Sequence, residues 1–346
     1  MVQAPPRKQL LPTLKSTFLP KPLSMHGHLF MELVKKALSG SELAIARLIT
    51  MVENELPGWL EAMKQLYPHT GNAYLIGFTG PTGSGKSTLV DRVALSLCDR
   101  DHSVGIIAVD PTSPFTGGAL LGDRIRMQDV TNNQKVFIRS LGTRGGLGGV
   151  SQATSDVVKI LDASGKEFIL VETIGVGQDE VEIVQIVDTS IVVSVPGLGD
   201  DIQIIKAGIM EIGDIFVVNK ADRGGADQVA TMISAMLDLN PSPGLRRQPV
   251  IKTVATANQG IDELVKQIML HRTHLKEKGL LIDKRKERIG REVTRLLEQK
   301  ISQYVHDQVK GMHPMEALIE QINNREKDPY SCVDLLLELL DKKKQE

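Results

Sequence analysis

The residues whose types and spacing most clearly indicate a chemical role lie in the segment GPTGSGKS, residues 80–87. Its spacing is G-x-x-x-x-G-K-[ST], in which glycines let the backbone curl so that its amides point at phosphate oxygens. The lysine places a charge on the β- and γ-phosphates, and the final hydroxyl suits Mg²⁺. The pattern predicts a nucleoside triphosphate site formed by Gly80, Gly83, Ser84, Gly85, Lys86, Ser87 and Thr88.

The base is indicated by the segment NKAD, residues 219–222. An aspartate carboxylate can accept hydrogen bonds from both N1–H and the exocyclic amine of guanine, whereas adenine has no such donor pair. Asp222 is therefore predicted to select guanine, with Asn219 bracing the loop and Lys220 lying over the base. The segment VATAN (254–258) stands where GTPases place the loop that offers a backbone amide to guanine O6. Its candidate contacts are Ala255, Thr256 and Ala257, and GTP is favoured over ATP.

A γ-phosphate sensor is predicted in the segment FILVETIGVGQDE, residues 168–180. Its ETIG portion has the spacing D-x-x-G, with Glu172 in place of aspartate. Gly175 would free its backbone amide to follow the γ-phosphate, and Glu172 could hold Mg²⁺ through a water molecule. The alternative for Glu172 is a helix cap or an ordinary surface acid.

These segments lie at the ends of apolar runs that alternate with helical stretches, which predicts an α/β fold with a mainly parallel central sheet. Several runs are nearly continuous in Val, Ile and Leu, as expected for strands covered on both faces. We predict a P-loop NTPase domain over residues 73–270, preceded by a tail and helical extension (1–72) and followed by a helical region (271–346). The seven predicted strands are 73–80, 103–110, 135–140, 168–173, 190–196, 215–220 and 249–256.

The composition excludes several classes of function. Lysine and arginine number 41 and aspartate and glutamate 42, so no net charge points to nucleic acid or to an anionic membrane. Two cysteines give no disulfide framework, and no apolar run approaches the length of a membrane span. The expected location is the cytoplasm.

The C-terminal region carries one apolar stripe at helical spacing, formed by Ile289, Val293, Leu296, Leu297, Ile301, Tyr304 and Val305. Two interpretations remain open at this point. The helix could pack on its own domain, or the stripe could form a dimer contact, because the opposite face is rich in lysine and arginine.

Taken together, the motifs resemble the MeaB/ArgK-like G proteins, the GTPase chaperones of adenosylcobalamin-dependent acyl-CoA mutases. This family includes the methylmalonic aciduria type A protein. The resemblance covers residues 30–300 in the same order, through segments such as AVDPTSPFTGGALLGDRIRM, TRGGLGG, SVPGLGDDIQIIKAGIMEIGD and KTVATANQGIDEL. In that family the glutamate form of the ETIG loop is normal.

The resemblance implies a Mg²⁺-dependent GTPase that is stimulated by its mutase partner and forms a homodimer. It assigns Lys86, Asp110, Asp123 and Glu172 to catalysis and Ser87, Asp110, Asp123 and Glu172 to Mg²⁺. It also makes residues 197–208 a segment that couples nucleotide state to the mutase, with Asp200, Gln203 and Lys206 as the coupling residues. No tightly bound cobalamin is expected on this chain, since RDHSVG (100–105) has Arg100 where a base-off cobalamin site needs aspartate.

Two other functions would require residues that the sequence does not group together. A nickel-insertion GTPase of the same branch would carry Cys and His ligands, and here His26 and His28 have no neighbouring cysteine. A small-molecule kinase would need an acceptor pocket and a base, which the guanine motif does not supply.

Overall fold

The computed structural model describes residues 25–110, 130, 133–142, 152–173, 183, 185–197, 212–239, 247–310 and 314–343. The chain forms two compact units, which divide between His271 and Arg272. The first contains the sheet and its surrounding helices, and the second is helical in the residues described.

A seven-stranded sheet forms the centre of the first unit, in the order β3-β2-β4-β1-β5-β6-β7. Every neighbouring pair is parallel. The strands are β1 (Tyr74–Thr79), β2 (Val104–Asp110), β3 (Val136–Gly142), β4 (Phe168–Glu172), β5 (Thr189–Ser194), β6 (Ile215–Val218) and β7 (Val250–Lys252). The predicted parallel α/β fold is confirmed, and each predicted strand is present. Each residue of β1, β4, β5 and β6 is buried, which explains their continuous apolar character.

The last predicted strand is shorter than its apolar run suggests. β7 ends at Lys252, although Thr253 still donates from its backbone amide to the carbonyl of Val218 at 2.9 Å. Val254 then pairs with Gln259 across a tight loop that holds a 3₁₀ turn over Ala255–Ala257. The chain therefore turns where β-branched residues alone predict extension.

The helices of the first unit are α1 (Met25–Leu38), α2 (Glu42–Glu53), α3 (Trp59–Leu66), α4 (Lys86–Cys98), α5 (Gln152–Ala163), α6 (Ala226–Leu239) and α7 (Ile261–Glu277), which extends past His271. α4 packs on β1, β2 and β4, and α6 packs on β6 and β7. α1, α2 and α3 pack on one another and on α5, and they share one apolar core with it.

Two polar contacts join α5 and α2 to the sheet layer. Asp162, near the end of α5, accepts hydrogen bonds from the backbone amides of Gly71, Asn72 and Ala73 at 2.5, 3.1 and 2.9 Å. Arg139 on β3 forms an ion pair with Glu53 on α2. The entry into β1 is therefore fixed by a carboxylate that is distant in sequence.

The second unit contains the 31-residue helix α8 (Leu280–Lys310), followed by α9 (Pro314–Asn323) and α10 (Pro329–Lys343). α8 contacts α10. Few apolar side chains of this unit are buried, and several on α8 are exposed.

Candidate functional site: a nucleotide-binding edge of the sheet

The glycine-rich loop connects β1 to α4 and lies at the carboxyl edge of the parallel sheet, where α/β proteins bind ligands. Gly80 has φ +132°, and a Cβ there would lie 2.1 Å from the carbonyl oxygen of Val193. α4 begins at Lys86 and is capped by Gly85 at φ +88°. The amides at the start of this helix, together with its dipole, favour an anion in front of the loop.

Lys86 lies beneath this loop and is only 5% exposed. Its Nζ donates to the carbonyl oxygens of Gly80 at 2.8 Å and Pro81 at 3.1 Å. The ammonium group is therefore held by the loop that would surround the phosphates. A charge so placed can stabilise negative charge on phosphate oxygens in a partly water-excluded site.

Ser87 and Glu172 come together although 85 positions separate them in the sequence. Ser87 Oγ donates to Glu172 Oε1 at 2.6 Å. The contact forms because β4 is the neighbour of β1, with Phe78 opposite Glu172 in the register. Glu172 is 6% exposed, which disfavours the alternative of a surface acid.

The same pair of oxygens suits a hard divalent cation. Mg²⁺ prefers oxygen ligands and usually binds through one or two carboxylates together with substrate phosphates. Asp110 ends β2, and Ala108 on that strand is opposite Glu172. The backbone of Asp110 therefore lies two residues further toward the same edge, while its side chain is outside the described part of the structure.

Asn219 joins three loops through one carboxamide. Its Nδ2 donates to the carbonyl oxygen of Ser84 at 2.9 Å, and its Oδ1 accepts from Thr253 Oγ1 at 3.0 Å and from the amide of Ala255 at 3.2 Å. A Cβ on Gly85 would lie 2.5 Å from Asn219 Nδ2. The phosphate loop, the NKAD segment and the VATAN segment are thus held as one assembly.

The remaining NKAD residues follow from this assembly. Lys220 has φ +55°, and its Nζ donates to the carbonyl oxygen of Gly83 at 2.7 Å. Asp222, Thr256 and Ala257 are exposed beside it. The structure therefore brings the predicted guanine-contacting segments beside the phosphate loop.

Sequence reasoning missed two threonines of this edge. Thr253 is buried and orients Asn219, as described above. Thr173 follows Glu172, and its amide donates to the carbonyl oxygen of Phe78 at 3.1 Å. Its hydroxyl lies 3.4 Å from Thr79 Oγ1. Both threonines lie within runs predicted as strands, 168–173 and 249–256, and a polar residue in a largely apolar run was the available signal.

Five predicted residues lie outside the described part of the structure. They are Asp123, Gly175, Asp200, Gln203 and Lys206. Their assignments stay predictions.

In the part of the chain that the structure describes, no helix is long and apolar enough to cross a membrane. Over the same residues, no three or more His, Cys, Asp or Glu side chains are grouped so that they could hold a metal ion. The side chains of His26 and His28 are not among those described.

Three features together define a P-loop GTPase: a phosphate loop between β1 and α4, a hydrogen bond from Ser87 on α4 to Glu172 at the end of the adjacent strand β4, and an NKAD loop at the same edge. The chain belongs to the family described as methylmalonyl-CoA mutase-associated GTPase MeaB, whose model matches residues 45–310. The predicted family is confirmed.

Individual relatives agree with this assignment. A putative GTPase of Pyrococcus abyssi is 49% identical over 309 residues, which cover 88% of this chain and 95% of the relative. The mitochondrial methylmalonic aciduria type A homolog of Caenorhabditis elegans is 29% identical over 88% of this chain and 82% of its own length. The crystal structure of an LAO/AO transport system kinase matches with a TM-score of 0.68 and 22% identity, covering 93% of this chain and 100% of that chain. At that identity the structural match supports the fold.

Proposed function

We propose that the chain is a GTP-hydrolysing chaperone of an adenosylcobalamin-dependent acyl-CoA mutase of the methylmalonyl-CoA mutase type. It assists the mutase in loading, protecting or exchanging its cofactor. The observation that carries this proposal is the family match over residues 45–310, which includes the nucleotide loops and the segment 197–208 in one stretch. The C. elegans relative, a methylmalonic aciduria type A homolog, supports the same partner class.

Hydrolysis in this site depends on positioning and electrostatics, because phosphoryl transfer needs little covalent chemistry from the protein. The loop amides of residues 83–87 orient the phosphates. Lys86 Nζ exchanges the carbonyls of Gly80 and Pro81 for the β- and γ-phosphate oxygens, where it stabilises the charge that develops during transfer. Gly175 and its amide report the presence of the γ-phosphate.

The site fits Mg²⁺ through its oxygen donors. Ser87 and Glu172 are already 2.6 Å apart, and Asp110 and Asp123 complete the proposed set. Mg²⁺ bound there neutralises negative charge on the phosphate oxygens. Glu172 stands where other GTPases have aspartate, and its longer side chain reaches Ser87 from the end of β4.

Guanine specificity is assigned to Asp222, with Asn219 and Lys220 fixing its loop against residues 83–85. The turn Ala255–Ala257, with Thr256 between them, is assigned to the other side of the base, where it offers a backbone amide to guanine O6. The amides of Ala255 and Ala257 already donate to Asn219 Oδ1 and to the carbonyl oxygen of Val254. The burial of Ala255 and its contact with Asn219 make the position of this turn depend on the NKAD loop.

Communication with the mutase is assigned to the coupling segment, residues 197–208, and in particular to Asp200, Gln203 and Lys206. Cobalamin belongs to the mutase, and this chain responds to whether the cofactor is in place.

A homodimer is proposed through α8. Six apolar residues of its stripe are between 38% and 58% exposed: Ile289, Val293, Leu296, Leu297, Ile301 and Tyr304. Of the basic residues on the opposite face, Arg291 is exposed, whereas Lys284, Arg285, Arg288 and Arg295 are only partly exposed. Packing of the stripe within its own unit is therefore disfavoured, and a second copy of the helix would bury it.

The experiment is a cofactor-loading assay. Apo-mutase from the same organism is mixed with adenosylcobalamin, and binding is followed by the absorbance change of the cofactor with GTP and this chain present or absent. We expect loading or exchange to depend on GTP only when the chain is present, and Lys206→Ala to abolish that dependence while GTP still binds. Identical time courses with and without the chain would contradict the proposal. Bound nickel after reconstitution of the chelated protein would instead favour metal insertion.

A further inference from the structure

Four polar side chains contact one another in a row at the edge of the sheet opposite the nucleotide loops. Tyr74 OH lies 2.5 Å from Thr189 Oγ1, which lies 2.8 Å from His271 Nδ1. His271 Nε2 lies 3.6 Å from Asp214 Oδ1. Tyr74 and Thr189 are the first residues of β1 and β5, Asp214 immediately precedes β6, and His271 belongs to α7. The row therefore joins α7 to the starts of three strands.

Three of the four side chains in this row are buried away from water. Tyr74, Thr189 and His271 are all buried, so their hydrogen bonds replace contacts with water. Thr189 has one hydroxyl proton, and a neutral imidazole that accepts it at Nδ1 carries its own proton on Nε2, facing the Asp214 carboxylate. Tyr74 then donates to Thr189. Every donor points toward Asp214, which favours one position of the His271 ring.

Asp214 is also bound on its other side. Its Oδ2 accepts from the amide of Ser190 at 2.8 Å and lies 2.9 Å from Ser190 Oγ. Ser190 Oγ also contacts the carbonyl oxygen of Ile212, and the amide of Asp214 donates to the carbonyl oxygen of Ser190 at 3.0 Å. Between them, Gly213 has no room for a side chain, because a Cβ would lie 2.5 Å from the ring of Phe216. Residues 212–214 are therefore fixed to β5.

We call the contacts that Asp214 makes with His271 and Ser190 the anchor. Its position in the chain relates it to the coupling segment. The coupling segment leaves β5 at the nucleotide edge, and Ile212 follows its last residue by four positions. Asp214 then enters β6 from the opposite edge. The chain that follows the coupling segment therefore re-enters the sheet at residues 212–214, next to His271.

α7 is also connected to elements that flank the nucleotide loops. The helix starts at Ile261, four residues after the 3₁₀ turn Ala255–Ala257 of the guanine loop. Asp262, its second residue, forms an ion pair with Arg100 at 2.8 Å, just beyond the end of α4. α7 therefore follows the guanine loop along the chain, pairs with Arg100 just beyond the phosphate-loop helix, and contacts Asp214 through His271.

We infer that His271 and Asp214 are positioning residues that link α7 to residues 212–214, the stretch that follows the coupling segment, so that nucleotide bound at the phosphate and guanine loops alters the segment through this contact. The inference rests on the proposed function for the role of residues 197–208. The contact geometry is independent of that role.

Hydrogen exchange of peptides covering residues 197–213, measured with GDP and with a non-hydrolysable GTP analogue, tests the inference without any mutase. We expect the wild-type protein to show a nucleotide-dependent difference in these peptides. Asp214→Asn changes the carboxylate that lies between His271 and Ser190, and Ser190→Ala removes the hydroxyl that contacts this carboxylate from β5. Both substitutions should remove that difference while the GTP dissociation constant changes less than about threefold. A wild-type protein with no difference, or variants that retain it, would overturn the inference.

The matched control is Asp162→Asn, which removes a buried carboxylate that also accepts backbone amides. If loss of stability alone were responsible, this variant would lose the nucleotide-dependent difference as well, and the inference would fail. In a second arm, mutase-stimulated hydrolysis should fall about tenfold in Asp214→Asn, a usual size for a coupling free energy. Absence of stimulation in the wild type would count against the proposed function. The hydrogen-exchange result would still test the link through His271 and Asp214.

Discussion

One carboxamide organises the nucleotide edge at the scale of single residues. Asn219 contacts the carbonyl of Ser84, the hydroxyl of Thr253 and the amide of Ala255. A Cβ on Gly85 would lie 2.5 Å from its Nδ2, so the carboxamide occupies the space that a side chain at position 85 would need. The position of Asp222, three residues along, therefore depends on the phosphate loop as much as on its own strand.

Two glycines of this loop provide a matched test. Gly83 and Gly85 have φ +81° and +88°, but a Cβ on Gly83 would meet nothing within 4 Å, whereas one on Gly85 would lie 2.5 Å from Asn219 Nδ2. Gly83→Ala should cost about 1–2 kcal/mol of unfolding free energy through left-handed strain alone. Gly85→Ala should cost roughly 1–3 kcal/mol more, because Asn219 must shift. Chemical denaturation without nucleotide measures the unfolding free energy of both variants. Equal losses would contradict the close packing of Asn219 against Gly85.

Asp222→Asn tests the assignment of the base. In the proposed contact the Asp222 carboxylate accepts two hydrogen bonds from guanine, and an amide replaces one acceptor with a donor. We expect GTP affinity to fall roughly 10- to 100-fold, as for loss of charge-assisted hydrogen bonds. Xanthosine triphosphate, whose C2 carbonyl accepts the new donor, should gain affinity. Titration of the variant with each nucleotide measures the two dissociation constants. Unchanged GTP binding would show that another residue recognises the base.

At the scale of elements, Asp162 connects α5 to the segment that leads into β1. Its carboxylate receives three backbone amides from residues 71–73 and is buried. Asp162→Asn keeps the shape but removes the charge and one acceptor, so we expect a loss of about 2 kcal/mol of unfolding free energy.

The control for this loss is Asp238→Asn, which breaks an exposed ion pair with Arg247. That change should stay within about 0.5 kcal/mol, since exposed pairs contribute little. Comparable losses in the two variants would show that the carboxylate does not fix the entry to β1.

The apolar stripe of α8 gives a prediction about assembly. Val293→Glu and Leu297→Glu place charges on the exposed stripe, and Ser302→Glu places one nine residues from Val293, on the opposite face at 100° per residue. If α8 forms the dimer, the first two should shift the protein to monomer in sedimentation experiments, and the third should not. A wild-type monomer, or dissociation by Ser302→Glu alone, would assign the contact elsewhere.

For the whole molecule, the features that the sequence could predict are those set by local chemistry. GPTGSGKS places its glycines, Lys86 and Ser87 without help from distant residues, and continuous Val and Ile runs predict buried parallel strands. The contacts of Thr253 and His271 depend on residues 34 and 82 positions away, and no spacing rule shows them. Periodicity identified the α8 stripe but not what covers it, because a helix face is apolar for its own core and for a partner alike.

The measurement that tests the central claim most directly is steady-state GTP hydrolysis with and without the cobalamin-dependent mutase of the same organism. We predict that the mutase raises the rate at least about tenfold, as coupling between two sites allows. Lys206→Ala should remove the rise while GTP affinity survives. Unchanged hydrolysis with the mutase present, in a protein that binds GTP normally, would contradict the account.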